Sequence, residues 1–215
     1  MHPRYKRPEI KPLTPEEAKV FLETIKGDHL EVLFSVTLAL GLRKGEALGL
    51  RWQDIDWQGR TLRVNIALQR ISGKLQLIEP KTDKSRRTLP LPETIEAALK
   101  AHRIRQLEEK MLAGDRWQET GLVFTTSIGT PLDARNAVRK FHGLLKKAGL
   151  GRFRFHDLRH SCASLLLAQG VPPRTIMDIL GHSQISLTMD TYSHVMSAMI
   201  RDAADLMDSI LTGQK

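Results

Sequence analysis

The chain holds a single cysteine, Cys162, so no disulfide within it is available, and that count suits a reducing compartment. It also has no long hydrophobic run. The longest, Val32 to Leu42, is interrupted by Ser35, Thr37 and Gly41 and is too short to cross a bilayer, and MHPRYKRPEIK has no apolar core of the signal-peptide kind. A membrane role is therefore not expected, and a cytoplasmic location is. Internal repeats and low-complexity stretches are missing, which argues against solenoids and disordered tails. Acidic residues are scarce relative to basic ones, 24 Asp+Glu against 33 Lys+Arg, for a net charge of +9. That balance favours a polyanionic partner, nucleic acid first and an acidic membrane surface second. The carboxylates that exist do not cluster as a magnesium site requires, so no metal and no cofactor is expected.

What is present is enough for a packed core: 41% of the 215 residues are hydrophobic, sufficient for one sizeable domain or two small ones. Residues 1–12 carry Arg4, Lys6, Arg7 and Lys11 with three prolines and read as a basic linker. Thr14, Pro15 and Glu17 then form a capping box for a helix ending near Gly27. A second helix, about 30–40, is apolar on most sides and is expected at the centre of the fold. In TLRVNIALQ the apolar residues Leu62, Val64, Ile66 and Leu68 alternate with polar ones, as in a half-buried strand. The Ser72-Gly73 turn leads to LQLIEP, and RRTLPL supplies a third strand beyond a lysine-bearing hairpin with Lys81 and Lys84. A long polar helix over 93–113, a short LVFT strand and a basic helix over 134–148 follow. The fold class expected is α+β, mainly helical with a small three-stranded antiparallel sheet.

The stretch FHDLRHSCASLLLAQG, residues 155–170, places Leu158, Cys162, Leu165 and Leu166 on one helix face and His156 with Arg159 on another. Gly170 supplies a left-handed cap, and PPRTIMDILGH forms a short helix that leaves His182 just past Gly181. DTYSH places Tyr192 upstream of a closing amphipathic run, in which Met196, Met199, Ile200, Ala203, Leu206, Met207 and Ile210 share a face. Earlier, GLRKGEALGLRW sets Arg43 at a helix junction with Glu46 one turn on. Arg43, Lys81, His156, Arg159, His182 and Tyr192 are thus a cationic, hydrogen-bonding set plus one phenol. Two guanidiniums suit the nonbridging oxygens of a phosphodiester under attack by a hydroxyl, without need of a metal.

In GLRKGEALGLRWQDID, PKTDKSRRTLPL, HDLRH, LGHS and DTYSHV, in that order over roughly residues 13–195, the chain closely resembles the tyrosine recombinase (phage integrase) family. The resemblance implies a catalytic domain over 13–195 that cuts and rejoins DNA at specific sites. Tyr192 would be the nucleophile, forming a 3′-phosphotyrosyl bond and freeing a 5′-hydroxyl. Arg43 and Arg159 would grip the phosphate, Lys81 would protonate the leaving 5′-oxygen, His156 would assist proton transfer from the phenol, and His182 would hydrogen-bond the phosphate. Glu46 would support the arginine clamp. The resemblance further implies double-stranded DNA sites as partner, a homo-tetramer on DNA and a monomer without it, a bacterial or phage-encoded protein, and a helical tail over 196–215 that docks on a neighbouring protomer, whereas the apolar pattern of the tail alone fits packing on its own domain equally well. An N-terminal core-binding domain, usual in the family, is not expected in this chain.

Three other functions compete. A helix-turn-helix regulator fits LLLAQGVPPRTIMDILGHSQISLTMDTY but leaves Arg43, Lys81 and His156 unused. Zinc hydrolysis would use His156 and His160 at i, i+4, as HDLRH imitates H-E-x-x-H. A type IB topoisomerase would share the nucleophile chemistry.

Overall fold

The computed structural model describes residues 11–79, 86–181 and 207–212. Seven helices and five strands are named in order: α1 (Pro15–Ile25), α2 (Glu31–Leu40), α3 (Lys44–Leu48), β1 (Ile55–Asp56), β2 (Thr61–Val64), β3 (Ala67–Ile71), β4 (Lys74–Ile78), β5 (Arg87–Pro90), α4 (Glu93–Ala113), α5 (Ala134–Lys147), α6 (Asp157–Ala168) and α7 (Pro173–Leu180). The class is α+β, as expected. Helix α1 begins on the predicted capping box: the Glu17 N–H donates to the Thr14 hydroxyl at 3.1 Å, and the Thr14 N–H donates to the Glu17 carboxylate at 2.9 Å.

Helix α2 is the central element, with Leu33, Phe34, Val36 and Thr37 fully shielded from solvent. Thr37 can lie there because its hydroxyl donates to the Leu33 carbonyl, 2.6 Å away. Around Phe34 the rings of Phe21 (α1), Phe141 (α5) and Phe155 gather at centroid separations of 6.1, 5.6 and 5.9 Å. Each ring contributes a large apolar area and an edge-to-face or tilted contact, so this cluster fastens α1, α5 and the chain just before α6 around α2. The residue following α2, Gly41, turns the chain with φ 60°. A side chain there would be strained in that conformation and would sit 2.5 Å from Leu180 Cδ2 and 3.3 Å from Cys162 Sγ.

The β region departs from expectation. TLRVNIALQ is two strands rather than one: β2 joins β1 and β5 in a three-stranded antiparallel sheet, while β3 pairs only with β4 as a separate hairpin. The break falls at Asn65, whose amide donates to Asp54 at 3.3 Å and accepts from Arg51 at 3.4 Å. The alternation of Leu62, Val64 and Leu68 continues through the break because both halves face the same core. The hairpin turn is where the sequence put it, with Ser72 at φ 47° and Gly73 at φ 81°.

LVFT also forms no named strand. Leu122 makes only an isolated bridge to Arg51, and Thr125 one to Pro131. The segment is held from the side instead: Gln106 of α4 donates to the carbonyls of Leu122 and Val123 at 3.1 and 3.0 Å, and the Val123 N–H donates to Leu50. A glutamine side chain thus satisfies the backbone groups that a neighbouring strand would have taken.

Helix α6 differs most from its sequence profile. It is buried on nearly every side, because α2, α7 and the entering chain pack around it. Leu165 and Leu166 are only half-buried, whereas Ala163 and Leu167 join Leu158 and Cys162 in the interior. The entering chain is tied to α6 directly: the Leu13 N–H donates to the Ser161 hydroxyl at 2.8 Å, and that hydroxyl donates to the Asp157 carbonyl at 2.7 Å.

Candidate functional site

Two turns of very different position in the sequence meet beside α6. One follows α2 at Gly41 and runs into α3; the other is Gly181, the left-handed cap of α7 with φ 64°. Arg43 stands at the start of α3. Its N–H donates to Glu46 Oε2 at 2.9 Å, its Nη1 donates to Glu46 Oε1 at 2.7 Å, and its Nη2 reaches the Gly181 carbonyl at 3.1 Å. Arg159 of α6, only 2% exposed, donates through Nη1 to the Gly41 carbonyl at 2.6 Å and through Nη2 to the Leu180 carbonyl at 2.7 Å. The carbonyl end of α7 is therefore gripped by two guanidiniums at successive residues. Orphan carbonyls and the negative end of the helix dipole favour cations there, which accounts for a buried arginine at this spot.

Arg43 and Glu46 are not the surface ion pair their spacing suggests. The Glu46 side chain is 5% exposed, and a third arginine accounts for it: Arg87 of β5, itself 7% exposed, donates through Nη1 and Nη2 to Glu46 Oε1 and Oε2 at 3.2 and 2.9 Å. Arg87 Nε donates at 2.6 Å to the carbonyl of Ile179 in α7. Burial pulls the Glu46 carboxyl upward, but the hydrogen bonds and charges of Arg87 and Arg43 outweigh it and hold the carboxyl below its ordinary value. Sequence reasoning passed over Arg87. A signal existed: on a strand, Arg87, Leu89 and Leu91 point the same way, and an arginine on the apolar face of a strand calls for a buried acceptor.

HDLRH resolves into three roles. Asp157 turns back to Arg154, accepting from its N–H at 2.6 Å and its Nη2 at 2.8 Å, so this carboxylate serves the helix start. His156 is exposed at the first turn of α6, and its ring meets that of His160 edge-on with centroids 4.8 Å apart. Desolvation, followed by the positive charge of Arg159, holds His156 below the ordinary imidazole value. His160, deeper in, is pushed down to about 4 by burial and by the neighbouring His156. Both rings are thus neutral near pH 7. Among the described residues no group of three or more His, Cys, Asp and Glu side chains is arranged to hold a metal ion.

Of the six residues singled out from the sequence, Arg43 and Arg159 are brought to adjoining carbonyls, and His156, at the start of α6, lies near enough to feel the charge of both. The expected exposure of the His156–Arg159 pair holds for the histidine and fails for the arginine, because α2 and α7 close over it. Lys81, His182 and Tyr192 lie outside the described residues, as do Lys84 and most of the 196–215 tail. Two clefts among the described residues, of about 560 and 700 Å³, are lined by other residues, among them Trp52 and Trp117 in one and His102 and Asn136 in the other. No helix of the described residues is long and apolar enough to cross a membrane.

An α+β domain that gathers arginines from α3, β5 and α6 around two turns has close counterparts. Residues 11–199 match the family model of the phage integrase family, and the chain belongs to that family. The XerC-like tyrosine recombinase of Caldanaerobacter subterraneus subsp. tengcongensis is 38% identical over 214 residues, covering 94% of this chain and 55% of the relative. The ICEBs1 integrase of Bacillus subtilis is 31% identical over 207 residues, covering 95% of this chain and 56% of its own length. The chain thus spans little more than half the length of these relatives. Among solved structures, the Tn1549 transposon integrase in complex with transposon right end DNA superposes with a TM-score of 0.78 at 25% identity, over 93% of this chain and 68% of that one. The XerA recombinase shares the fold with a TM-score of 0.72 at 24% identity, over 94% of this chain and 67% of the other.

Proposed function

We propose that this chain carries the DNA-cleaving and DNA-joining domain of a site-specific tyrosine recombinase, with double-stranded recombination sites as substrate. The observation that carries the proposal is the pair of guanidiniums, Arg43 and Arg159, set on the Gly181 and Leu180 carbonyls that immediately precede His182. The relatives that share the fold and family support it, since they are integrases and recombinases.

In this mechanism the Tyr192 phenol oxygen attacks the scissile phosphorus, the bond from phosphorus to the 5′-oxygen breaks, and a 3′-phosphotyrosyl link forms. Lys81 protonates the departing 5′-oxygen. His156, neutral at pH 7 for the reasons above, accepts or relays the phenol proton. Arg43 and Arg159 balance the charge that builds on the nonbridging oxygens, and His182 adds a hydrogen bond. A 5′-hydroxyl of the partner strand then reverses the steps. One phosphodiester is exchanged for another, so the bond energy is conserved and no ATP is consumed. The protein would act in the bacterial cytoplasm, as a monomer without DNA and as a homo-tetramer on it.

The test is trapping on a nicked suicide DNA substrate bearing candidate sites. The wild-type chain forms an adduct that survives denaturation, and Tyr192→Phe binds the same DNA without forming one. An adduct in the Tyr192→Phe protein would remove Tyr192 from the role. Sequence-specific binding with no adduct in the wild type would favour a helix-turn-helix regulator instead.

A further inference from the structure

We propose that Arg87 is a positioning residue of the strand-transfer site: through Glu46 it fixes the arginine clamp, and through the Ile179 carbonyl it fixes the turn that precedes His182. The proposal rests on the reading of Arg43 and Arg159 as phosphate-binding groups. Three observations lead to it. Arg87 is nearly as buried as its carboxylate partner, at 7% against 5% side-chain exposure, so its charge needs the Glu46 carboxylate beside it. Its planar fork meets both Glu46 oxygens while Nε is committed to α7, an arrangement that a single ammonium cannot reproduce. Finally, Arg87 stands on β5, so one side chain joins the Arg43 turn, through Glu46, to the end of α7.

In this scheme Arg87 makes no contact with the substrate. It acts by holding other groups in place. Among the described residues, the charged groups that face Glu46 are Arg43 from its own turn and Arg87 from β5, while α7 presents backbone carbonyls. With Arg87 removed, Glu46 loses the larger of its two cationic supports. Its carboxyl then protonates at higher pH, and Arg43 loses its anchor sooner on acidification.

The experiment compares wild type, Arg87→Lys and Arg87→Met for adduct formation on the suicide substrate across pH, alongside non-covalent DNA binding and thermal melting. Arg87→Lys keeps the buried charge and guards against the case in which Arg87→Met fails to fold. For Arg87→Lys the expected result is a loss of about 10²-fold in the rate of adduct formation, the cost of slightly misplacing reacting groups, with DNA affinity nearly unchanged and the acid limb of the rate profile moved to higher pH. A rate loss that merely follows the fraction unfolded, or a profile that keeps its acid limb, would overturn the positioning role. Should the wild type form no adduct, the strand-transfer reading alone falls. Carboxyl NMR titration of Glu46 in wild type and Arg87→Lys then decides the positioning claim, which an unmoved Glu46 titration would sink.

Discussion

Glu46 accepts from two guanidiniums inside the protein, and its worth depends on that pairing. Replacing it by glutamine leaves Arg87 charged and buried without a counter-ion, which costs about 3 kcal/mol by the usual penalty for breaking an enclosed pair. Chemical denaturation of Glu46→Gln would show the loss. Because the folded carboxyl lies below its ordinary value of 4.5, its contribution is complete above that pH and is lost as pH falls through the lower folded value. The acid-induced loss of stability in this range should therefore be shallower in Glu46→Gln than in wild type. His160 has a different window. It titrates at about 4 when folded against 6.5 for a free imidazole, so the unfolded chain binds the extra proton between those values and stability falls as pH drops from 6.5 to about 4. Melting curves of His160→Gln should be flatter across that interval, and an unchanged slope would mean that the ring is as solvated folded as unfolded. For Lys81, the proposed proton donor, Lys81→Ala should slow cleavage by about 10²- to 10⁴-fold. A 5′-phosphorothiolate substrate, whose sulfur leaves without a proton, should restore most of the rate; no restoration would remove Lys81 from that role.

At the scale of elements, the turn at Gly41 decides how α2, α6 and α7 meet. Gly41→Ala introduces a methyl in a left-handed conformation, aimed at Leu180 and Cys162, and should destabilise the fold by about 2 kcal/mol. Since the carbonyls of Gly41 and Leu180 both hold Arg159, adduct formation in Gly41→Ala should fall even at temperatures where the variant is fully folded. Equal activity per folded molecule would mean that the turn serves packing alone. The elements that were legible beforehand carry their own punctuation. The box at Thr14 and Glu17 starts α1, and Gly181 ends α7, each by a bond made within a few residues. The strands were less legible, because alternation reports which face is buried and is silent on which strand lies alongside. For the same reason TLRVNIALQ reads as one strand and folds as two, and the LVFT segment reads as a strand although Gln106 takes the place of its neighbour.

For the whole molecule, charge and tail are the properties to test. For the proposed DNA substrate, a net charge of +9 predicts that affinity falls steeply and log-linearly with salt, as counterions are released from the phosphates. In the tail, residues 207–212 are helical and Met207, Ile210 and Leu211 are 55, 65 and 77% exposed, which leaves this apolar face without cover from the described domain. Deleting residues 197–215 should change the melting temperature by less than about 3 °C, the shift that 1 kcal/mol produces in a domain of this size. Cooperative assembly on full-site DNA should suffer more than half-site binding, as a gel-shift titration would read. A truncated chain that melts far lower, or that loses both complexes equally, would make the tail a structural part of its own domain.

The sequence by itself determined what depends on near neighbours and on totals: helix boundaries set by caps, the buried character of α2, the basic balance, and the ordered motifs that mark the phage integrase family. It also carried the identities of Arg43, His156 and Arg159. The tertiary structure alone decided what those side chains hold. Arg159 meets Gly41 across 118 residues, Arg43 meets Gly181 across 138, and Arg87 meets Ile179 across 92. No periodicity or spacing rule reaches that far. A buried guanidinium is stable only where the fold delivers its acceptors, so the partner of each arginine, and the burial that makes Glu46 matter, arose from packing α6 and α7 against the end of α2.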